Sequence, residues 1–316
     1  MKPFAQEVLA PINSGTLNAQ STMLIADFVE KVYLVKYVQD QLRPSTRKSY
    51  RDIWESCLKG RMGKMTLRNF RTVHGEQMLA DIARQTNLGK HSLKHIKSFI
   101  SGVFKQAKRL GILDGVNPMV DVSIPRSREP EETYAYSLPE IKAMLAVLPE
   151  ATWTVVLTAA LTGLRKGEIR GLAWEDFSGT ELCVRRSVWN STVNEPKTRR
   201  SQAAIPVVSQ LAHALNAHRA RAGKLAVGFL FEGGTGQPLN LDNLARRVIQ
   251  PRIQKCGICK LSKAEHKPEG HLFEQYRNFP RWCGWHAFRR GLATNLHQLG
   301  VADKTIQAIL RYSIAT

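Results

Sequence analysis

The 316-residue sequence has few cysteines and no long apolar segment. It contains five Cys, and no apolar run approaches the roughly 18 residues that a membrane-spanning helix needs. The first residues also lack the apolar core of a signal peptide. We therefore expect reduced thiols and a cytoplasmic location, rather than a disulfide framework, secretion or membrane insertion. The sequence also shows no internal repeat and no low-complexity tract.

Acidic residues are scarce relative to basic ones. The chain has 46 Lys and Arg against 26 Asp and Glu, which leaves a formal net charge of +20. Such an excess favours a polyanionic partner, and double-stranded DNA is the expected one because neutralised phosphates release counterions. A basic protein that binds a membrane surface is the alternative class with the same charge.

The length is sufficient for two domains. We predict a flexible arm over residues 1–20, a helical DNA-binding domain over 21–124, a linker over 125–136 and a second domain over 137–316. The linker is rich in proline and charge and has no apolar period. Ser137 and Glu140 then form the pattern of a capping box, so regular structure begins again there.

Two predicted helices of the first domain carry charge of almost one sign. Nine basic residues and two acidic ones lie between Arg43 and Arg71, and residues 90–109 contain six basic residues and no acid. A charged run is often only a solvated surface, but two such helices in one small domain favour DNA binding. The candidate phosphate contacts are Arg43, Arg47, Lys48, Arg51, Lys90, Lys94 and Lys97.

The second domain combines helices with a few strands. Residues 181–188 alternate as a strand does, residues 203–208 form the returning strand, and the basic turn between them carries Lys197. With helices predicted on both sides of this turn, the fold class is mostly α with a small antiparallel β-sheet.

A helix near the end of the chain combines a polar pair with an apolar stripe. His286 and Arg289 are three residues apart and therefore lie on one helix face. Phe288, Leu292 and Leu296 repeat at the spacing of a buried stripe. An imidazole and a guanidinium held side by side suit an anionic oxygen such as that of a phosphodiester. The alternative is a core helix with a hydrogen-bonded His and a solvated Arg.

Three elements in this order resemble the catalytic motifs of the tyrosine recombinases, the phage-integrase and Xer-like family. They are Thr-Gly-Leu-Arg-Lys-Gly-Glu at 162–168, a lysine in a strand turn, and His-Ala-Phe-Arg-Arg at 286–290. The resemblance covers nearly the whole chain. It implies a helical core-binding domain followed by a mixed α+β catalytic domain.

The resemblance also assigns roles to individual residues. Arg165 matches the first catalytic Arg, Glu168 the acid that supports it, and Lys197 the lysine of the β-turn. His286 and Arg289 match the His-x-x-Arg pair. Two guanidinium groups would bind the non-bridging oxygens of the scissile phosphate and stabilise its transition state. Lys197 would protonate the departing 5′ oxygen, and His286 would position the phosphate or transfer the proton of the nucleophile. This chemistry requires no metal.

The family resemblance implies a site-specific recombinase or integrase that cleaves and rejoins DNA through a 3′-phosphotyrosine intermediate. It further implies a DNA clamp that acts as a homo-tetramer on paired sites and is a monomer or dimer off DNA. Two alternatives stay open. One is an inactive DNA-binding remnant of the family; the other is a relaxing topoisomerase with the same chemistry, although such enzymes usually carry larger flanking domains.

The sequence departs from the family pattern after residue 308. Residues 309–313 occupy the Leu-Gly/Arg-His-Ser motif, so Tyr312 stands where a second His or a Trp is expected. The nucleophilic Tyr of the family follows this motif after a short loop, whereas this sequence stops at Thr316. We therefore expect the nucleophile to be absent from this chain. In the alternative, Tyr312 is itself the nucleophile.

A second departure is an insertion at about residues 255–283. Two thiols spaced two residues apart and two imidazoles soon after them suit a tetrahedral structural zinc site. The spacing is not that of a standard zinc finger, so chance co-occurrence is the alternative. The candidate ligands are Cys256, Cys259, His266 and His271.

Overall fold

The protein is described by a computed structural model. The structure describes residues 18–129, 132–195, 204–223, 227–234, 236–263, 265–267, 270–277 and 279–311. The chain forms two compact units, Met1–Glu132 and Thr133–Thr316. The predictions for residues 1–17, for Lys197 and for Tyr312 lie outside the described residues.

The described part of the first unit is helical. In chain order its helices are α1, made of Ile25–Phe28, Val29–Val38 and Gln39–Gln41; α2, made of Pro44–Ile53, Trp54–Leu58 and Lys59–Met62; α3 (Thr72–Gln85); and α4 (Lys90–Arg109). The middle stretches of α1 and α2 are π-helical, and short 3-10 turns cover Ala19–Thr22 and Leu67–Asn69. The first of these turns begins inside the predicted arm, because the Asn18 side chain accepts a 2.8 Å hydrogen bond from the backbone N–H of Gln20.

Helix α4 contributes one apolar face to the core of the first unit. Five apolar residues at helical spacing are all buried: Leu93, Ile96, Ile100, Val103 and Phe104. Phe99 lies on the same face and stacks on Trp54 of α2, with ring centroids 6.3 Å apart. Burial of this stripe turns the basic residues of α4 towards the surface, so the helix is amphipathic as its sequence predicts.

The second unit surrounds a core of its own. Its helices are α5 (Leu138–Leu145), α6 (Glu150–Thr162), α7 (Lys166–Gly171), α8 (Ser209–Ala222), α9, made of Leu241–Leu244, Ala245–Ile249 and Gln250–Ile253, α10 (His286–Gln298) and α11 (Asp303–Leu310). The predicted capping box at the start of α5 is confirmed, since Glu140 accepts hydrogen bonds from the N–H and the hydroxyl of Ser137. No helix within the described ranges is long and apolar enough to cross a membrane.

The strands of the second unit are shorter than predicted. They are β1 (Glu181–Cys183), β2 (Ser187–Trp189), β3 (Thr192–Asn194) and β4 (Ala204–Pro206). Strand β1 pairs antiparallel with β4, and β2 pairs antiparallel with β3. The prediction of one continuous strand over 181–188 is therefore wrong. Between β1 and β2 the chain turns aside, and the guanidinium groups of Arg185 and Arg186 lie 3.6 and 3.4 Å from the buried Asp176 carboxylate.

The last residues of the predicted linker belong to the second unit. Tyr136 is buried, and its backbone N–H donates to the carbonyl of Ala287 in α10. Asn295 donates a 3.1 Å hydrogen bond to the Tyr136 carbonyl. A Cβ atom at Gly291 would lie 2.3 Å from that carbonyl oxygen, so this close approach requires glycine. The predicted linker over 125–136 thus extends too far, because Tyr136 packs against α10.

Candidate functional site

A glycine turn presents the first candidate residue of the site. Helix α6 ends at Gly163, which has φ +58°, and the chain then enters α7 with Arg165 as its N-cap. A Cβ atom at residue 163 would also lie 2.5 Å from Cδ2 of Leu310. The left-handed turn and the close contact both favour glycine, and together they place Arg165 beside the end of α11.

A buried carboxylate holds the Arg165 side chain. Glu168 is 3% exposed, and its carboxylate accepts a 3.0 Å bond from the Arg165 N–H and a 2.8 Å bond from Nη1 of Arg165. Nη2 of Arg311 donates a further 2.9 Å bond to the same carboxylate. Burial alone would raise the pKa of Glu168, but the Arg311 and Arg165 charges and hydrogen bonds lower it below its ordinary value. Glu168 is thus an anion that positions two guanidinium groups.

Arg311 is the residue of this cluster that sequence reasoning missed. It follows α11 in the left-handed conformation at φ +55°, and it is buried. Burial lowers the pKa of its guanidinium, although the charge and hydrogen bond of Glu168 oppose this shift. Arg311 lies in the segment that matches the Leu-Gly/Arg-His-Ser motif, and this position is the sequence signal that could have identified it. Within that motif we considered only the next residue, Tyr312, as a candidate.

Arg289 is buried rather than solvated. The side chain is 1% exposed; Nη1 donates a 2.7 Å bond to the Gly163 carbonyl and Nη2 donates to the Leu310 carbonyl. The alternative of a solvated Arg on this helix is therefore wrong. Of the predicted apolar stripe, Phe288 is buried, whereas the two leucines that follow it are half-buried.

His286 is the first residue of α10, and it is exposed. Its pKa lies below the ordinary value, because partial loss of hydration and the positive charges of Arg290, Arg289 and Arg165 disfavour the imidazolium form. The ring therefore stands in a positive electrostatic field. A cleft of about 470 Å³ borders it and is lined by residues that include Lys166 and Trp285.

The structure brings four of the predicted site residues into one region. Glu168 binds Arg165 directly, Arg289 contacts the turn that precedes Arg165, and both arginines act on the pKa of His286. Lys197 and Tyr312 lie outside the described residues, so their roles stay predictions.

The predicted phosphate contacts of α2 have local partners. The ammonium of Lys48 lies 2.6 Å from the Asp52 carboxylate, and Arg51 donates a 2.9 Å bond to the Gln39 side chain. Arg47 donates to the Leu42 carbonyl, and Arg43 is the exposed N-cap of the helix. These are surface contacts within the first unit.

The predicted contacts of α4 differ from one another. Lys90 and Lys94 are exposed. In contrast, Nζ of Lys97 donates to the backbone carbonyls of Val122 at 2.6 Å and Val120 at 3.2 Å. The ammonium of Lys97 therefore ties α4 to the segment that follows it, and we leave Lys97 out of the proposed phosphate contacts.

Comparison with known proteins extends over nearly the whole chain. No protein-family model matches. A protein named tyrosine recombinase XerC-like, from Caldanaerobacter subterraneus subsp. tengcongensis, is 25% identical, with 98% of this chain and 81% of that protein covered. This similarity over nearly the whole chain supports a relationship to the tyrosine recombinase/integrase family.

Solved structures of integrases share the fold of this chain. The Tn1549 transposon integrase, in complex with transposon right end DNA, matches with a TM-score of 0.68 and 17% identity over 92% of each chain. A lambda integrase dimer bound to a COC′ core site matches with a TM-score of 0.67 and 16% identity, over 97% of this chain and 79% of that one. The shared fold thus covers both units.

The structure also brings together the four candidate metal ligands of the insertion at about residues 255–283. One ligand atom from each residue lies within 4.8 Å of the other three: Cys256, Cys259, His266 and His271. Two sulfur–nitrogen distances are short, 3.2 Å from Cys256 to Nε2 of His271 and 3.4 Å from Cys259 to Nδ1 of His266. A Cys₂His₂ set of this kind is compatible with a tetrahedral structural metal site.

Proposed function

We propose that this chain is a DNA-binding, site-specific recombinase of the integrase type, which breaks and rejoins DNA strands through a 3′-phosphotyrosine intermediate. The similarity of nearly the whole chain to a tyrosine recombinase supports the reaction class. The relatives named above include a transposon integrase and a lambda integrase, each solved with DNA. A DNA target also agrees with the formal net charge of +20.

The arrangement around Glu168 carries this proposal. A buried carboxylate holds Arg165 at the start of α7, and Arg165 and Arg289 both contribute positive potential at the exposed ring of His286. The Arg165 guanidinium, which Glu168 holds before the substrate arrives, would stabilise a phosphorane-like transition state with little reorganisation of its own at the moment of reaction. A phosphodiester is therefore the anion that this region fits best.

In the proposed mechanism, Arg165 and Arg289 bind the non-bridging oxygens of the scissile phosphate. Because Arg289 is 1% exposed and donates to the Leu310 carbonyl, its contact with a phosphate requires the segment around Leu310 to move. His286 positions the phosphate or transfers a proton. Lys197 protonates the departing 5′ oxygen as the general acid. The cationic side chains neutralise the phosphate charge, so no step uses a metal.

In the first unit, we propose that basic residues at the surface, of which Arg47 is half-buried and the others exposed, bind the phosphate backbone of the DNA. The residues retained for this role are Arg43, Arg47, Lys48, Arg51, Lys90 and Lys94. Such contacts set affinity and register and carry little sequence information. A homo-tetramer on paired sites is the proposed active assembly, since lambda integrase has been solved as a tetramer bound to a Holliday junction.

A second candidate function is DNA binding without strand cleavage. One feature of the sequence favours this second candidate: Tyr312 occupies the position of the second His or Trp in the family motif, rather than that of the nucleophile. Nucleophilic attack needs a hydroxyl in line with the departing oxygen, and phosphate binding does not. The two candidates therefore agree on DNA binding and differ on the covalent step.

The deciding experiment traps the covalent intermediate. Duplexes that the protein selects from a random pool are rebuilt as nicked suicide substrates, on which a cleaved strand cannot be rejoined. Three chains are compared: the 316-residue chain, its Tyr312→Phe variant, and a chain extended after residue 316 by a tyrosine-bearing segment of the family type. A covalent band in any chain supports the recombinase, and DNA binding with no band in all three supports the second candidate.

The same assay identifies the nucleophile and tests the phosphate-binding residues. A band from the 316-residue chain that disappears in Tyr312→Phe would make Tyr312 the nucleophile. A band only from the extended chain would support the assignment of Tyr312 to the position of the second His or Trp. Arg165→Lys should reduce the trapped product about 10²-fold or more, as loss of one oxyanion donor does. The control Arg219→Lys changes an exposed arginine of α8 and should leave the yield unchanged.

A further inference from the structure

We propose that the insertion before α10 binds one structural zinc ion through Cys256, Cys259, His266 and His271. This inference does not depend on the proposed recombinase reaction, because none of the four residues belongs to the phosphate-binding set.

The ligand atoms have the separation that a tetrahedral ion requires. Zinc bonds of about 2.3 Å to sulfur and 2.0 Å to nitrogen place tetrahedral sulfur and nitrogen ligands about 3.5 Å apart. The two measured pairs are close to this value, at 3.2 Å for Cys256 and His271 and 3.4 Å for Cys259 and His266. With all four atoms within 4.8 Å of one another, one ion placed among them reaches every ligand after small shifts.

Hydrogen bonds behind the ligands orient them towards the common centre. Nδ1 of His266 faces the Cys259 sulfur, while its Nε2 lies 3.0 Å from the carbonyl oxygen of His271. A metal-bound imidazole commonly donates its second N–H to a backbone carbonyl, which fixes the tautomer and the ring plane.

The backbone of the insertion forms a small scaffold for the four ligands. The Cys256 N–H donates to Leu261, and the Gly257 N–H donates to Glu274 across the cluster. Ser262 donates its N–H and hydroxyl to the Glu265 carboxylate, and this turn presents His266. The four ligands thus lie on short, hydrogen-bonded turns, with the two cysteines before the two histidines along the chain.

Apolar burial is too small to stabilise this segment by itself. Of the described residues between 254 and 279, only Cys256 and Ser262 are buried. Three large apolar residues of the segment are instead exposed, Ile258 at 58%, Leu261 at 46% and Leu272 at 82%. A small unit without a core usually needs a disulfide or a metal, and metal binding then supplies folding free energy.

Among metals, the ligand set selects zinc. Two thiolates and two imidazoles in a tetrahedron suit zinc or an iron–sulfur centre, and a closed four-ligand set is typical of structural zinc. A redox disulfide between Cys256 and Cys259 is the competing use of a Cys-x-x-Cys pair. It would leave the two imidazoles without a role in the cluster, so the geometry favours the ion.

The first experiment measures metal content in the full chain, expressed without a histidine tag and purified without chelators. Elemental analysis should find about one zinc per chain, and the double variant Cys256→Ser/Cys259→Ser should lose it. The matched control is Cys283→Ser, because Cys283 lies close in sequence but outside the four-residue cluster. Zinc below about one tenth of an equivalent, with no uptake when zinc is added, would overturn the proposal.

A second measurement on the unmodified chain guards against a variant that fails to fold. Zinc is removed with a chelator and replaced by Co²⁺, whose visible spectrum reports tetrahedral geometry and whose thiolate charge-transfer band reports the bound sulfurs. We expect both signals at one equivalent of Co²⁺, and their stoichiometric loss on adding Zn²⁺. A spectrum without a thiolate band, or formation of a Cys256–Cys259 disulfide under reducing conditions, would contradict the site.

Discussion

The two units of this protein place their basic residues in different environments. In the first unit, residues such as Lys48 and Lys94 lie at the surface, and the ion pair of Lys48 with Asp52 is 60% exposed on both sides. In the second unit, Arg289 and Arg311 are buried and bound to carbonyls or to the Glu168 carboxylate. Lys48 and Lys94 are thus solvated, whereas Arg289 and Arg311 are held by the groups around them.

This difference matches two different demands on positive charge. An exposed lysine keeps its conformational freedom, gains little from its ion pair, and acts on a polyanion through a field that salt screens. A buried arginine has already lost much of its side-chain freedom when the protein folds, so it has less of that entropy to lose when it binds one defined phosphate. The first arrangement suits a DNA backbone of varied sequence, and the second suits chemistry at a single atom.

The largest expected effect comes from removing the buried charge. Glu168→Gln should destabilise the second unit by about 3 kcal/mol, because it leaves Arg311 buried beside a neutral amide. The matched change in the first unit, Asp52→Asn, breaks an exposed pair and should cost less than about 1 kcal/mol. Chemical denaturation that resolves the unfolding of the two units measures both losses of stability. Equal losses for Glu168→Gln and Asp52→Asn would contradict the distinction between buried and exposed ion pairs.

The pH dependence of the Glu168 variant sharpens this prediction. The pKa of Glu168 is lowered in the folded protein from its ordinary value of 4.5, so its contribution to stability is complete above that pH. The contribution is lost as pH falls through the lowered pKa. The difference between wild type and Glu168→Gln should therefore be full at neutral pH and shrink below about pH 4.5. A difference that stays constant into acid would point to packing rather than charge.

Two glycines in left-handed turns provide the next contrast. Gly163→Ala should cost about 2 kcal/mol, since the positive φ is strained for Ala and the new Cβ meets Leu310. Gly111 in the first unit has φ +68° with no neighbouring atom within 4 Å of the added Cβ, so Gly111→Ala should cost only about 1 kcal/mol. Thermal unfolding measures the loss of stability in both variants. An equal loss for Gly163→Ala and Gly111→Ala would contradict tight packing around Gly163.

Salt dependence separates the two kinds of lysine within α4. Lys94→Gln should reduce the slope of log affinity for duplex DNA against log salt by about 0.9, the value for one lost phosphate contact. Lys97→Gln should leave the slope unchanged and instead lower stability, since its ammonium binds the carbonyls of Val120 and Val122. Fluorescence anisotropy over a series of salt concentrations measures the slope for each variant. A smaller slope for Lys97→Gln than for the wild type would show that Lys97 does contact a phosphate.

The smallest expected effect concerns His286. Its pKa is lowered in the free protein by partial desolvation and by neighbouring arginines, and a bound phosphate would raise it, so binding takes up a proton. DNA affinity should therefore rise as pH falls towards and below the ordinary pKa of imidazole, by less than about tenfold. His286→Gln should flatten this dependence, whereas His297→Gln, an exposed change at the other end of α10, should not. Identical profiles for the two variants would exclude His286 from the phosphate site.

Local chemistry explains why much of the architecture was predictable from the sequence. Helix α4 has the predicted bounds because its apolar residues repeat at helical spacing over 20 residues. The start of α5 follows from Ser137 and Glu140, which are three residues apart and cap each other. The Cys-x-x-Cys pair and the two imidazoles that follow it also lie within 16 residues, so their convergence needs only short turns.

The tertiary structure decided the features that depend on distant parts of the chain. Arg311 meets Glu168 across 143 residues, and Arg289 binds Gly163 across 126, so neither burial follows from the helix that carries the arginine. The division of the predicted strand over 181–188 depends on Asp176, and the burial of Tyr136 depends on α10. The sequence alone therefore determined the helices, the charge of each unit and the residue types of the site. Which arginines became buried and fixed was decided only when distant segments packed together, because desolvation and hydrogen bonding of a side chain depend on its neighbours in space.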